Sequence, residues 1–312
     1  MLRLLAEFYA TPWAIEPGVY SQMEMILARW SEGIKLSAEQ VRAAIGDAPQ
    51  AAAARREQAA RSGDGAVAVI PVHGVLTHRA HNAMSVSTQL TSTEILASQI
   101  RAAANNPEVS SIVLDVDSPG GSVFGVQEVG DAIYSLRGTK PIIAVANAQA
   151  ASGAYWVASQ ADELVITPSG AVGSIGAFMR HSDQSEKNTR DGVKNTYIYA
   201  GKYKVEGNPD GPLGEEGQTY LQAQVDSFYT AFVKAVARGR GVSVDSVRGP
   251  DFGEGRMVLA RAAVQQGMAN RIATLDQVIA EQMRPARSQP SARLHASTAA
   301  AQLAVLQAGP TP

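Results

Sequence analysis

The chain has 312 residues, of which 45% are hydrophobic and 18% are charged, and its formal net charge is −2. This is the balance of an ordinary globular protein, and the length suffices for one or two domains with a stable core. The small net charge gives no sign of a nucleic acid or an anionic membrane surface as a partner. The chain has no cysteine, which excludes disulfides, thiolate metal sites and a cysteine nucleophile.

The first 60 residues are predicted to form a helical extension, with candidate helices at Tyr20–Trp30 and Ala38–Ile45. Charged residues and a proline interrupt the apolar stretch Met1–Ile15, which lacks the cleavage pattern of a signal peptide. No window contains the 18 consecutive apolar residues of a membrane span. We therefore expect a cytoplasmic protein without a membrane span.

Strand-like and helix-like segments alternate through residues 61–285, which we predict to be one domain. Such alternation is typical of an α/β fold in which helices cover a mainly parallel sheet. In chain order, the predicted elements are strand Ala66–Val72, helix Thr93–Asn105, strand Ser111–Val116, helix Val123–Leu136, strand Pro141–Val145, helix Ala154–Ser159, strand Leu164–Thr167, strand Lys194–Tyr199, and helices Gln218–Arg238, Met257–Gln266 and Leu275–Met283.

The last segment, residues 286–312, is rich in Ala, Gln, Ser and Pro and has no aromatic residue. A segment of this composition buries too little apolar surface to offset the entropy of ordering. We predict a disordered tail.

A glycine-containing loop lies between a predicted strand and a predicted helix, at Asp117–Ser122 (DSPGGS). Adjacent glycines allow a tight turn and let a ligand approach the backbone N–H groups. A helix N-terminus adds free donors, so the loop has the features of an oxyanion or phosphate site. A simple strand-to-helix turn remains an equal alternative at this point.

A second motif, Ala150–Trp156 (AASGAYW), places Ser152 at another strand-to-helix junction. The serine can be a nucleophile, with the Gly153 N–H as an oxyanion donor. It can equally be the capping residue of the following helix. The motif is not the G-x-S-x-G elbow, because Ala150 occupies the first glycine position. Spacing alone favours the cap.

A serine nucleophile requires a base, and His181 is the one histidine in a suitable position along the chain. A lysine can replace histidine if its surroundings lower its pKa towards neutrality. Lys202 and Lys204 lie in a short AGKYK segment after the predicted strand Lys194–Tyr199. The alternative, two solvated loop lysines, stays open on these residues alone.

Taken together, the motifs resemble the signal-peptide-peptidase-A family of Ser-Lys peptidases, which has a Clp/crotonase-like fold. The resemblance covers roughly residues 65 to 283. Six segments agree with the family in order, which makes chance agreement implausible. They are Pro71–Gly74, Asp117–Gly121, Ala151–Tyr155, Gly173–Gly176, Gly201–Lys204 and Gly255–Met268.

The resemblance implies a role for particular residues. The family's nucleophile corresponds to Ser152, and its lysine base to Lys204 rather than Lys202. The implied oxyanion donors are the N–H groups of Gly121 and Gly153, and Ser174 is a candidate for orienting the lysine amine. The related Clp peptidases have a catalytic histidine near the segment Gly173–Gly176, where this chain has none. The implied reaction proceeds through an acyl-enzyme and needs no metal or organic cofactor.

The layout, with its N-terminal extension and Ala-rich tail, resembles the phage capsid peptidases of this family. It implies a protein or peptide substrate such as a capsid scaffold or portal protein, action at the procapsid in the host cytoplasm, and a homo-oligomer. The tail 286–312 is then expected to be the chain's own first substrate or a docking segment. The alternatives are a cytosolic signal-peptide-peptidase-like protease, a catalytically silent assembly scaffold and a crotonase-type acyl-CoA enzyme.

Overall fold

A computed structural model describes Phe8 and residues 11–31, 66–78 and 90–283. The helices in these residues are α1 Pro17–Ser31, α2 Thr93–Asn105, α3 Val126–Ser135, α4 Gly153–Ala158, α5 Ser185–Arg190, α6 Glu215–Arg240, α7 Val244–Arg248, α8 Ala260–Gln265 and α9 Leu275–Gln282, with a 3₁₀ segment at Pro250–Gly255. The strands are β1 Trp13–Ile15, β2 Ala66–His73, β3 Val75–Thr77, β4 Leu90–Ser92, β5 Val109–Ser118, β6 Gly120–Ser122, β7 Ile142–Ala151, β8 Glu163–Ile166, β9 Ala171–Gly173, β10 Met257–Leu259 and β11 Arg271–Ile272.

The main sheet is almost entirely parallel. Strand β5 pairs in parallel with β2 on one side and with β7 on the other. The first half of β7 pairs with β8 and its last three residues with β9, both in parallel. Only the β9–β10 pair among the described residues of this sheet is antiparallel. The predicted α/β architecture, a mainly parallel sheet covered by helices, is therefore confirmed.

A smaller sheet lies beside the carboxyl ends of the main strands, in the order β1-β6-β3-β4. Its strand β6 is the Gly-Gly-Ser part of the predicted glycine loop. On one side β6 pairs in parallel with β3, and on the other it pairs antiparallel with β1. A strand from the N-terminal segment thus lies directly against the glycine loop, an arrangement that the sequence did not predict.

The core occupies both faces of the main sheet. Alternate residues of β5 point to opposite faces, since strand side chains alternate with a period of two. Ile112, Leu114 and Val116 pack in the larger cluster, beneath α2, α3, α4 and α6. Val113 faces the smaller cluster, which α9 covers with Leu275, Val278 and Ile279. This two-sided burial explains why the central strands read as continuous apolar runs.

Two predicted elements need correction. The predicted strand Lys194–Tyr199 is absent: every residue of the segment is exposed, and no strand among the described residues pairs with it. The predicted helix Met257–Gln266 begins instead with strand β10, and α8 starts only at Ala260. The helix predicted at Tyr20–Trp30 is present as α1. The predicted helix Ala38–Ile45 and the tail 286–312 lie outside the described residues.

In the part of the chain that the structure describes, no helix is both long enough and apolar enough to cross a bilayer.

Candidate active site

Ser152 lies at the junction where strand β7 ends and helix α4 begins, at the carboxyl edge of the main sheet. Its backbone has φ 53° and ψ −121°, which is costly for a residue with a Cβ atom, about 1–3 kcal/mol. Its N–H donates to the Gly173 carbonyl oxygen over 2.7 Å. The junction therefore holds this serine in a strained conformation of the kind that concentrates at functional sites.

The Ser152 hydroxyl does not cap helix α4, although the residue occupies the N-cap position. Among the described residues, its one hydrogen bond is a 3.5 Å contact with the Gly176 carbonyl oxygen, at the outer limit for such a bond. The alternative that Ser152 is only a capping residue is therefore wrong. The hydroxyl is buried but weakly held, as a nucleophile awaiting a base would be.

Gly120 and Gly121 form a close-packed wall near the end of β7 and the start of α4, and neither position has room for a side chain. A Cβ atom on Gly120, whose φ is +91°, would lie 2.2 Å from the Ala14 carbonyl oxygen and 2.9 Å from the Gly153 nitrogen. A Cβ atom on Gly121 would lie 1.9 Å from the Leu76 carbonyl oxygen. These are backbone contacts that cannot yield easily, so the close approach requires glycine.

The glycine loop is positioned by Ser118. Its hydroxyl donates to the Gly74 carbonyl oxygen over 2.6 Å and accepts from the Gly120 N–H over 3.2 Å. Ser118 is fully buried, so these bonds are shielded from water. These bonds therefore hold the glycine loop against the end of strand β2.

The two predicted oxyanion donors lie near the same carbonyl oxygen. In the β1–β6 ladder, the Val123 N–H donates to the Pro12 oxygen (3.2 Å) and the Glu16 N–H to the Pro119 oxygen (2.8 Å). Antiparallel ladders alternate every two residues, so Gly121, which pairs with Ala14, directs its N–H at the Ala14 oxygen. The Gly153 nitrogen also lies nearby, since a Cβ atom on Gly120 would be 2.2 Å from the Ala14 oxygen and 2.9 Å from the Gly153 nitrogen.

Ser174 also belongs to this neighbourhood. It follows Gly173, whose carbonyl oxygen accepts the Ser152 N–H, and it is itself buried. Its φ of 53° repeats the strained backbone of Ser152, and its N–H donates to the Arg256 oxygen over 2.9 Å. The structure therefore brings Ser152, Gly121, Gly153 and Ser174 together.

Lys204 is not assembled with these residues. It is exposed in a turn, where its backbone N–H donates to the Gly201 oxygen over 3.0 Å. Among the described residues, no hydrogen bond joins the Lys204 amine to Ser152. The predicted pair is thus present in the sequence but not in contact in this conformation.

The rival bases are engaged elsewhere. The Lys202 amine donates to the Tyr203 hydroxyl (2.7 Å) and to a Glu216 carboxylate oxygen (3.0 Å). These two bonds raise the pKa of Lys202, which favours its charged form and disfavours a role as a base. His181 places Nε2 3.0 Å from the Asn208 carbonyl oxygen.

A buried polar network below the loop was missed by the sequence analysis. Asp115, 2% exposed, contacts His73 Nε2 at 3.1 Å and accepts from the Asn147 side-chain amide at 2.9 Å. Burial raises the pKa of the neighbouring Asp117, His73 opposes the rise and Asp115 adds to it. The positions of these residues could have indicated the network, because they lie near the carboxyl ends of three adjacent parallel strands. The network ties those three strands together near their carboxyl ends.

Within the described part of the chain, no group of three or more His, Cys, Asp or Glu side chains is placed to hold a metal ion. The geometry instead defines a serine-centred site, in which a strained residue with an uncapped hydroxyl precedes Gly153 and lies close to the glycine loop. A serine beside backbone N–H groups is an arrangement that enzymes use for nucleophilic attack on a carbonyl carbon.

Comparison with known proteins supports the same class. Residues 135–288 match the model of peptidase family S49. The chain is 32% identical over 206 residues to the head-tail preconnector protein GP5 of Enterobacteria phage P21, covering 66% of this chain and 40% of that protein. It is also 32% identical over 206 residues to capsid assembly protease C of Escherichia phage lambda, covering 66% and 46% respectively. The resemblance to the signal-peptide-peptidase-A type, and to its phage capsid members, is confirmed.

The chain spans less than half the length of these two relatives. Among solved structures, a ClpP1 variant from Listeria monocytogenes is 12% identical, with a TM-score of 0.42, over 68% of this chain and 94% of that one. This likeness is too distant to bear on the chemistry, so the site is interpreted from its own geometry.

Proposed function

We propose that the protein is a serine endopeptidase, with Ser152 as the nucleophile and Lys204 as the general base. The observation that carries the proposal is the backbone at Ser152. The residue has a strained φ and an uncapped hydroxyl, and the next residue, Gly153, lies against Gly120 of the glycine loop. A merely structural serine would gain nothing from that strain.

Lys204 is proposed as the base because its two rivals are held by other partners. Lys202 is paired with Glu216 and Tyr203, and His181 contacts the Asn208 carbonyl. The proposal requires the exposed Gly201–Glu206 turn to come against Ser152 in the active form. Closing segments that complete a catalytic site on substrate binding or assembly are common in enzymes.

In the proposed reaction, neutral Lys204 takes the Ser152 proton as the hydroxyl oxygen attacks the carbonyl carbon of the scissile bond. The N–H groups of Gly121 and Gly153 stabilise the oxyanion, each by about 3 kcal/mol. The lysine returns the proton to the leaving amine, and water then hydrolyses the acyl-enzyme. Ser174 is proposed to orient the lysine amine.

The proposed substrates are capsid scaffold or portal-associated proteins, processed at the procapsid in the host cytoplasm. Support comes from two phage relatives, one named as a head-tail preconnector protein and one as a capsid assembly protease. An extended, unpaired segment of the substrate would bind by strand addition beside β6, since proteases read substrates in that form. A homo-oligomer is proposed as the working form.

The proposal is tested by incubating the purified protein with a library of unstructured peptides and identifying products by mass spectrometry. The wild type should cut peptides internally, and Ser152→Ala should leave the library intact while keeping the wild-type circular dichroism spectrum. If the folded wild type cuts nothing, the protein is a silent assembly scaffold. Binding of coenzyme A together with intact peptides would favour an acyl-CoA enzyme instead.

A further inference from the structure

The N-terminal strand β1 lies in the candidate active site between strand β6 and Phe178. On one side it pairs antiparallel with β6, in the register Trp13 with Ser122, Ala14 with Gly121 and Ile15 with Gly120. On the other side it forms a bridge to Phe178, because the Trp13 N–H donates to the Phe178 oxygen (2.9 Å) and the Phe178 N–H to the Trp13 oxygen (3.0 Å).

The backbone groups of β1 hydrogen-bond alternately to β6 and to Phe178. Pro12 and Ala14 direct their carbonyl groups at β6, while Trp13 directs both its groups at Phe178. Beyond the strand, the Glu16 N–H donates to the Pro119 oxygen over 2.8 Å. An extended peptide held on both edges in this way is how strand addition presents a backbone to a protease.

The position of Ala14 relates the strand to the chemistry. Its carbonyl oxygen is the one that the Gly121 N–H faces, and it lies beside the Gly153 nitrogen. Its Cβ atom is 3.7 Å from the point where a side chain on Gly153 would begin. A small residue therefore fits here, and its carbonyl oxygen lies near Gly121 and near Gly153, the residue that follows Ser152.

The strand also closes the site to solvent. Ser152 is 1% exposed and Ala14 is 1% exposed, so no other peptide reaches the hydroxyl while β1 is in place. Aromatic packing holds the strand there. The Trp13 and Tyr20 rings contact Phe8 at centroid distances of 5.2 and 4.5 Å, and Tyr20 contacts Phe178 at 5.1 Å.

We propose that the Ala14–Ile15 peptide bond is the chain's own substrate, cut in the same molecule by Ser152. This inference rests on the proposed peptidase activity, and it identifies the first peptide bond that the active site would cut. Cleavage separates the segment that ends at Ala14 from the rest of the chain. The position beside β6 then becomes available to another peptide.

The step balances as an ordinary peptide hydrolysis. The Ser152 oxygen bonds to the Ala14 carbonyl carbon, and its proton passes to the Lys204 amine of the proposed mechanism. The Ala14–Ile15 C–N bond then breaks, and the Ile15 nitrogen takes that proton and becomes a free amine. One water molecule cleaves the ester, restores the Ser152 hydroxyl and leaves Ala14 as a carboxylate.

The test follows the full chain over time by intact mass and N-terminal sequencing, with peptide hydrolysis and phosphonate labelling of Ser152 measured on the same samples. We expect loss of residues 1–14, a new N-terminus at Ile15, and a rate constant unchanged by twentyfold dilution. Ser152→Ala should stay whole at this bond. Ala14→Phe should slow the cut at least tenfold, because the site beside Gly153 is small, whereas Ser21→Phe, on an exposed turn of α1, should not.

Four outcomes would overturn the inference. An uncut N-terminus in samples that hydrolyse peptides and label at Ser152 would remove it and leave the peptidase standing. A cut at another bond would contradict the register of β1. A rate that rises with protein concentration would contradict cleavage within one molecule. Absence of cleavage, labelling and peptide hydrolysis together would remove both this inference and the proposed function.

Discussion

At the scale of single residues, substitutions directly test the proposal that Lys204 is the general base. Lys204→Ala should reduce peptide hydrolysis at least a thousandfold, because without a base the Ser152 hydroxyl is a weak nucleophile. Lys202→Ala and His181→Ala should each retain activity within about threefold, since their side chains are bonded to Glu216, Tyr203 and Asn208. Steady-state rates on one peptide measure all three. Full activity in Lys204→Ala would disprove the assignment.

The pH dependence offers a second test of a lysine base. Any lysine that accepts the serine proton must first be neutral, and the ordinary lysine pKa is about 10.4. Hydrolysis should therefore rise with pH through and above neutrality, even if the site depresses that value. The rate is measured between pH 5 and 10 under conditions where chemistry limits it. A flat profile over that range would count against a lysine.

Gly120 provides a test of the close-packed wall. Gly120→Ala combines a positive φ with a 2.2 Å approach to the Ala14 carbonyl oxygen. We expect it to lower the free energy of unfolding by about 1–3 kcal/mol. Gly138→Ala is the matched control, because Gly138 also has positive φ (+78°) but no heavy atom near its Cβ position. Urea unfolding of both variants separates the cost of the positive φ from the cost of the steric clash with the Ala14 oxygen. Equal decreases in the free energy of unfolding would show that the backbone around Gly120 can accommodate a Cβ atom.

Sequence and structure agree best where a residue's role is local. Helix α2 begins and ends where the periodicity predicted, since Ser92 caps it by accepting from the Ile95 N–H. The strained conformation of Ser152 depends on the Gly173 carbonyl and on β7, which are distant in the chain. Spacing alone therefore favoured a cap, and only the ordered motifs of the family indicated a nucleophile.

At the scale of elements, the failures share one physical cause. The predicted strand Lys194–Tyr199 ends in three residues that favour strands, Tyr197–Tyr199, but a strand needs a partner and the described fold provides none. Strand β1 is the converse case. It has only three residues, too few for a pattern, and it forms because β6 and Phe178 offer backbone groups on both sides. The His73–Asp115–Asn147 network likewise depends on three strands meeting.

The long helix α6 is anchored to the core by its second half. Phe232 is 1% exposed and stacks on Trp156, with ring centroids 4.8 Å apart. Phe232→Ala should lower the free energy of unfolding by about 3–5 kcal/mol, because it leaves a cavity against a fully buried ring. Tyr220→Ala, in the exposed first half of the same helix, should change it by less than about 0.5 kcal/mol. Comparable losses in chemical denaturation would mean that both halves are buried in solution.

At the scale of the whole molecule, several large apolar side chains are exposed along one stretch of the chain, residues 193–203. Ile198 is 98% exposed and Tyr199 is 54% exposed. Exposed apolar side chains that are concentrated in this way are typical of an interface. This exposure supports the proposed homo-oligomer, because a second copy would cover these side chains.

Ile198→Asp should therefore weaken that assembly without unfolding the protomer, since a charge buried at an interface is costly. Light scattering at micromolar concentration should show a larger species for the wild type and a smaller one for the variant. Lys187→Asp, on the exposed helix α5, is a charge-changing control that should keep the wild-type mass. A wild type that is monomeric throughout would contradict the oligomer.

The central claim is that Ser152 is a nucleophile, and the most direct measurement is the site of covalent labelling by a serine-directed phosphonate. The full chain is treated with the reagent, digested with trypsin and mapped by tandem mass spectrometry, with Ser152→Ala treated in parallel. The account predicts one adduct, on Ser152, which increases once the N-terminal strand has been cut and is absent in the variant. An adduct on another serine, or none on folded protein after the cut, would contradict it.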